Sequence, residues 1–193
     1  HNFEKIVEKI YESLNNHKLD IDVLSCEGNI LENLPSIRTN KYKAFVNIQL
    51  GCDKFCTYCI VPYTRGKQRS RSKESILEEI KDLKKQGYKE VTLLGQNVNA
   101  YGKDLDINYD MADLLKDVAE TGIERIRFVT SHPWDFTDKM IDVVAQYPNI
   151  MNSIHLPFQS GNNDILKLMG RRYTKEEYLT LVHKLKEKIK DVA

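Results

Sequence analysis

Apolar residues recur at Phe3, Ile6, Val7, Ile10 and Leu14 between charged neighbours, a stripe of helical period at the head of the chain. Residues 17–40 keep no such period and read as a linker, in which Ile21–Leu24 suggests a short strand and Pro35 breaks any helix. From there strand and helix alternate. Ala44, Val46, Ile48 and Leu50 fall at period two, as the apolar face of one strand. Ser72 stands as a cap before a helix carrying Ile76, Leu77, Ile80 and Leu83, which Gly87 would stop. Val91 to Leu94 reads as a strand buried on both faces. Tyr109 to Glu120 reads as a helix, Arg125 to Thr130 as a strand, Thr137 to Ala145 as a helix and Ser153 to Leu156 as a fourth strand. Thr174 and Glu177 form a capping box that opens a last helix through Tyr178, Leu181, Val182, Leu185 and Ile189.

Successive strand–helix units imply an α/β fold with a parallel sheet and right-handed crossovers. The placement of polar clusters sharpens this. Cys52–Cys59 follows the first strand and Gly95-Gln96-Asn97-Val98-Asn99 the second. Ser131-His132-Pro133 follows the third, and Pro157-Phe158-Gln159-Ser160-Gly161 the fourth. All lie at carboxyl ends of strands, the rim on which a parallel α/β barrel builds its active site.

Composition adds little until it is localised. The chain of 193 residues has 29 basic and 28 acidic side chains, so it is no polyanion trap as a whole. Thr64 to Lys73, however, holds Arg65, Lys67, Arg69, Arg71 and Lys73 and no acid. Such a strip suits a phosphate-bearing partner, or is simply a solvated loop face. No apolar run approaches the ~18–20 residues of a membrane span, and the amphipathic, Glu/Lys-rich start is no signal peptide. Cys26 is the one cysteine outside the Cys52–Cys59 group, which argues against a disulfide scaffold and for a reducing, cytoplasmic setting.

The candidate chemistry centres on Cys52, Cys56 and Cys59, spaced C-x3-C-x2-C. Three thiolates this close are a metal site before they are a disulfide framework. Zinc usually takes four ligands, often as two C-x2-C pairs, and the second pair is absent unless His132 or His155 serves as a fourth ligand. A [4Fe–4S] cluster normally takes four cysteines, and three leave one iron open to a small molecule. Gly95 permits close backbone approach of a ligand, and Gln96 offers donor and acceptor, though a plain turn explains both. His132 is held extended by Pro133; His155, inside an apolar strand, reads as a core histidine before a ligand. Gln159 and Ser160 are rim groups open to cofactor or substrate. Arg171-Arg172-Tyr173 joins the basic strip as a second place where guanidiniums meet phosphates or unpaired bases. Cys26 reads as a small buried hydrophobe.

Taken together, the stretches from Cys52 to Gly66, Leu94 to Gly102, Thr130 to Pro133 and His155 to Gly161 resemble the radical S-adenosylmethionine methylthiotransferases. Their tRNA-modifying branch fits best, and within it the members acting on isopentenyladenosine beside the anticodon. Sister members act on threonylcarbamoyladenosine or on a ribosomal protein, and the Gly-Gln-Asn-Val-Asn block argues against both. The resemblance implies that Cys52, Cys56 and Cys59 hold a [4Fe–4S] cluster that binds S-adenosylmethionine. It also implies cofactor contacts at Tyr58, Gln96, Ser131, His155 and Gln159, with Tyr58 beside the adenine and Gln96 beside the methionine part. Arg65, Lys67, Arg69, Arg71, Arg171 and Arg172 are the implied contacts to the tRNA anticodon loop. The implied reaction is methylthiolation at carbon 2 of the adenine, begun by a radical drawn from S-adenosylmethionine.

The same resemblance makes residues 1–16 the end of an N-terminal domain carrying a second [4Fe–4S] cluster, and residues 41–193 the radical domain. It leads us to expect a partial TIM-type (β/α) barrel with four of six strands, truncated before a small RNA-binding β-domain. An electron-donor protein is an implied partner, no membrane is involved, and the full-length protein is expected to be a monomer. The rival from another class is a zinc-stabilised RNA-binding module without catalysis.

Overall fold

Apolar periodicity becomes structure most faithfully at the centre of the chain. The computed structural model describes residues 6–16 and 37–193, so the expected strand at Ile21–Leu24 and Cys26 lie outside the described residues. In chain order the elements are α1 (Ile6–Asn16), β1 (Lys43–Asn47), β2 (Gln49–Leu50), α2 (Val61–Arg65), β3 (Arg69–Ser70) and α3 (Lys73–Lys85). There follow β4 (Glu90–Leu94), α4 (Met111–Glu120), β5 (Arg125–Phe128), α5 (Asp138–Gln146), α6 (Asn163–Leu168) and α7 (Lys175–Lys188).

Strands β1, β4 and β5 pair in parallel with β4 central, Val46 opposite Leu93 and Leu93 opposite Phe128. β4 is buried on both faces because it lies between the other two and under the helices, as its sequence predicts. β1 alternates, with Ala44 and Val46 inside and Phe45 outside. The core joins these strands to Ile76 and Ile80 of α3, Leu114, Leu115 and Val118 of α4, and Met140 and Ile141 of α5. Side-chain oxygens cap the helices, at Ser72 and Thr174 as expected and at Thr137 as well. Ser72 accepts from the Ser75 amide, Thr137 from that of Met140, and Thr174 and Glu177 complete a capping box. The α4 cap is Asp110, which forms a capping box with Asp113, so the helix begins two residues after Tyr109.

Two expected strands come out differently. The run Ala44–Leu50 divides: the Ile48 amide still donates to the Leu94 carbonyl, but Gln49 and Leu50 turn away and pair antiparallel with Ser70 and Arg69. Gly51 at φ +77° then starts the cysteine loop, and a β-carbon there would lie 2.0 Å from the Lys67 carbonyl oxygen, so only glycine fits the close crossing. The fourth strand at Ser153–Leu156 does not form. Contact with β5 is a single parallel bridge between Ile126 and Ile150. Beyond it, Asn152 donates to the carbonyls of Lys190 and Asp191, and Ile154 and Asn152 exchange backbone bonds with Ala193. The tail after α7 thus pairs with the edge of this segment that faces away from β5, while the β5 side keeps the bonds of Ile126 to Asn149 and Met151 and of the Ser131 amide to the His155 carbonyl. Among the described residues the main sheet is parallel and open, with three strands and no closed barrel.

Candidate metal and cofactor site

The three cysteines sit on an excursion, residues 51–68, whose ends are clasped by β2 and β3 and by the Cys52 amide donating to the Gly66 carbonyl. Asp53 accepts from the Gln68 amide, and Gln68 Nε2 donates to the Ala100 carbonyl and to Asp104. The Asp104 carboxylate also takes the amide and hydroxyl of Ser70. Burial raises its pKa, but the Ser70 and Gln68 hydrogen bonds outweigh that and hold it below the usual range. The Cys59 amide bonds back to the Cys56 carbonyl in a tight turn. All three thiols are free and partly exposed. Burial pushes the Cys52 thiol up and the neighbouring Cys56 and Cys59 push it further, against the amide and ammonium of Lys54. Among the described residues no three His, Cys, Asp or Glu side chains converge on one point.

The loop is tied to the rest of the rim at three places. Lys54 Nζ lies 2.8 Å from Asp135 Oδ2. That carboxylate, its side chain 1% exposed, also receives Lys103 Nζ at 2.5 Å and Asn97 Nδ2 at 2.6 Å. These partners outweigh the burial that would raise its pKa, and Asp135 is held below the usual carboxylate range. Tyr58 donates through its hydroxyl to Gln159 Oε1 at 3.1 Å and accepts from Arg171 Nη2 at 2.5 Å. The Thr57 amide and hydroxyl donate to the carbonyls of Met169 and Leu168, just past and at the end of α6.

The expected rim residues are thus brought together, with corrections. The Gln96 Oε1 and Ser131 Oγ atoms are buried without a partner at the ends of adjacent strands. Thr130 Oγ1 donates to the Gly95 carbonyl, which fixes the two loops side by side. The room beside Gly95 is filled by the Gln49 side chain, 2.5 Å from where a β-carbon would be, rather than left for a ligand. His155 is not a core histidine: it is exposed, and its Nδ1 accepts from the Thr130 amide at 3.0 Å. His132 is the buried one, its Nδ1 accepting from the Trp134 amide. Burial, then Arg171, drive its pKa down to about 4, with Lys54 and Lys103 adding to this and only Asp135 opposing. Arg71 is withdrawn from the RNA-facing strip: it is buried, paired with Glu79 at 2.7 Å and bonded to Ser75 and the Asn47 carbonyl. Arg69 Nη2 donates to the Arg65 carbonyl, while Arg65, Lys67 and Arg172 are exposed. Arg171 turns towards Tyr58, and Arg172 lies 5.0 Å from the Trp134 ring. Asp135 is the residue sequence reasoning missed; its signal, a lone acid two residues past His-Pro, is one that helix caps share.

Of the four described non-glycine residues with positive φ, Phe55, Thr130 and Gln159 lie on these rim loops, which is where strain accumulates around ligand sites. Residues 46–193 match the family model described as the Radical SAM superfamily. The chain belongs to that superfamily. Over its whole length it is 56% identical to the tRNA-2-methylthio-N(6)-dimethylallyladenosine synthase of Staphylococcus saprophyticus, and equally to that of Staphylococcus aureus. It spans 38% of the length of these curated relatives. Among solved structures it resembles the radical S-adenosylmethionine methyltransferase TsrM of Kitasatospora setae. The TM-score is 0.60 at 18% identity, over 77% of this chain and 29% of that one. SuiB of Streptococcus suis, solved with its precursor peptide, matches 96% of this chain and 43% of its own at TM-score 0.58 and 17% identity. These likenesses support the fold. Membership implies a [4Fe–4S] cluster and S-adenosylmethionine. The donor set fits both: three free thiols on one loop, and at the ends of β4 and β5 buried amide and hydroxyl oxygens of Gln96 and Ser131 that lack partners.

Proposed function

We propose that this chain is the radical domain of an enzyme that methylthiolates the adenine of dimethylallyladenosine in tRNA. The observation that carries the reading is the 56% identity to that synthase over a match that spans the whole chain, and so takes in the thiol loop and the rim. Cys52, Cys56 and Cys59 would hold the cluster, with Gln96 and Ser131 below it and Tyr58, His155 and Gln159 around it. When bound, the cluster and S-adenosylmethionine supply the radical that opens an unactivated C–H bond. The chain's own residues do the rest. Gln96 and Ser131 present acceptors to a bound amine or hydroxyl, and the Tyr58 ring offers an apolar face beside the thiols. The Arg171–Tyr58–Gln159 hydrogen bonds fix that ring's angle. Exposed Arg65, Lys67 and Arg172 would meet the phosphates or unpaired bases of the anticodon loop.

In the full-length protein we place a second [4Fe–4S] cluster on a domain preceding residue 17, a linker at 17–40 and the radical domain from 41 onward. An electron-donor protein, a monomeric state and a cytoplasmic location belong to the same reading. Among the described residues no helix is long and apolar enough to cross a membrane.

Anaerobic reconstitution with iron and sulfide tests the proposal. We expect about four irons per chain, a visible spectrum perturbed by S-adenosylmethionine, and loss of both on Cys56→Ala. A colourless chain that binds one zinc tightly would overturn it. Full-length protein given tRNA bearing dimethylallyladenosine or threonylcarbamoyladenosine, with mass spectrometry of the nucleosides, then separates this substrate from that of a sister enzyme.

A further inference from the structure

We infer that Asp135 is a positioning residue: through Lys54 it holds the thiol loop at a fixed place over the polar ends of β4 and β5. The loop after β4 reaches Asp135 through Asn97 and Lys103, the cysteine loop reaches it through Lys54, and Asp135 itself stands on the loop after β5. One carboxylate therefore joins the three loops that would surround the cofactor.

The two cations on it are not equivalent. The Lys103 side chain is 58% exposed and keeps its water, whereas that of Lys54 is 18% exposed. Lys54 Nζ lies 4.0 Å from the centroid of the Trp134 ring, so its ammonium has exchanged water for a carboxylate and an aromatic face. A desolvated ammonium that loses its carboxylate moves back to solvent, because its burial is then uncompensated. Lys54 stands two residues from Cys52 and two from Cys56, so any such movement carries both thiols with it. Of the other ties, those of Thr57 and Tyr58 are exposed hydrogen bonds on the α6 side. Those to the loop after β4 run through Gln68 to Ala100 and Asp104 at the far end of the excursion. Lys54 is therefore the tie between the thiols that reaches the ends of β4 and β5.

The importance of this for chemistry rests on the reading of the thiols as cluster ligands, but the placement itself does not. Timed alkylation of the metal-free chain of 193 residues, with Cys52, Cys56 and Cys59 resolved by mass spectrometry, reads it directly. Lys54→Met and Asp135→Asn should each speed the labelling of Cys52 and Cys56 about tenfold, and the double variant no further. Lys103→Met should leave labelling at the parent rate. Loss of a cation beside a thiol slows its alkylation, so acceleration reports exposure rather than altered charge. Unchanged labelling in Lys54→Met, or equal acceleration in Lys103→Met, would overturn the proposal. Lys54→Met serves if Asp135→Asn fails to fold, since Asp135 keeps Lys103 and Asn97. Iron uptake by the same variants separates the two readings. Labelling that changes as expected in a chain unable to take up iron would leave the positioning role standing and remove the cluster.

Discussion

The core beneath the sheet and the rim at its carboxyl end obey opposite rules. Below, Val46, Ile80, Val91, Leu93, Leu115 and Ile126 are fully buried among one another. Above, Gln96, Asn97, Asn99 and Ser131 bring polar atoms into burial and leave some without partners. The core gains by every apolar atom removed from water, about 25 cal/mol per Å². At the rim each unpaired buried group lowers stability, and such a deficit persists where a ligand is meant to supply the missing partner. One region is optimised for the empty chain and the other for a chain holding something.

Substitutions put this contrast to the test. The largest effect is expected in the core, where Leu115→Ala should destabilise by about 2–5 kcal/mol in denaturant unfolding and leave the thiols' labelling pattern intact. The buried His132 comes next. Its folded pKa of about 4 lies below the ordinary 6.5, so the unfolded chain takes up a proton that the folded chain refuses. Stability is complete above pH 6.5 and falls as the pH drops towards 4, by roughly 2–3 kcal/mol; His132→Gln should flatten that part of the profile. Ser131→Ala should change least and in the opposite sense to a core truncation. Removing an unpartnered hydroxyl leaves the empty chain as stable or firmer by up to about 1 kcal/mol, while weakening S-adenosylmethionine binding measured by titration calorimetry. If Ser131→Ala instead destabilises as a core truncation does, the division between core and rim fails.

Sequence was most legible where one rule acted alone. Period two placed β1, and Ser72 and Thr174 marked helix starts correctly because a cap depends only on its own turn. C-x3-C-x2-C pointed to the thiol loop because its spacing is local. Distant competition was illegible. Nothing near Ser153 announces that Asn152 will hold the carbonyls of Lys190 and Asp191, nearly forty residues on. Arg71 read as one more charge in a basic strip, whereas Glu79, further along α3, draws it inside. Asp135 binds cations 81 and 32 residues away, beyond any local pattern.

The β2–β3 clasp has a consequence for how such a protein lives with oxygen. It closes the excursion that bears the cysteines with main-chain hydrogen bonds and with Asp53 and Gln68, none of which involves a thiol. The entropy of bringing the loop's ends together is met by the fold, not by the metal. Damage to a bound cluster would therefore empty the site without dismantling the framework around it. A chain framed in this way would take a cluster back without refolding, given iron, sulfide and reduced thiols.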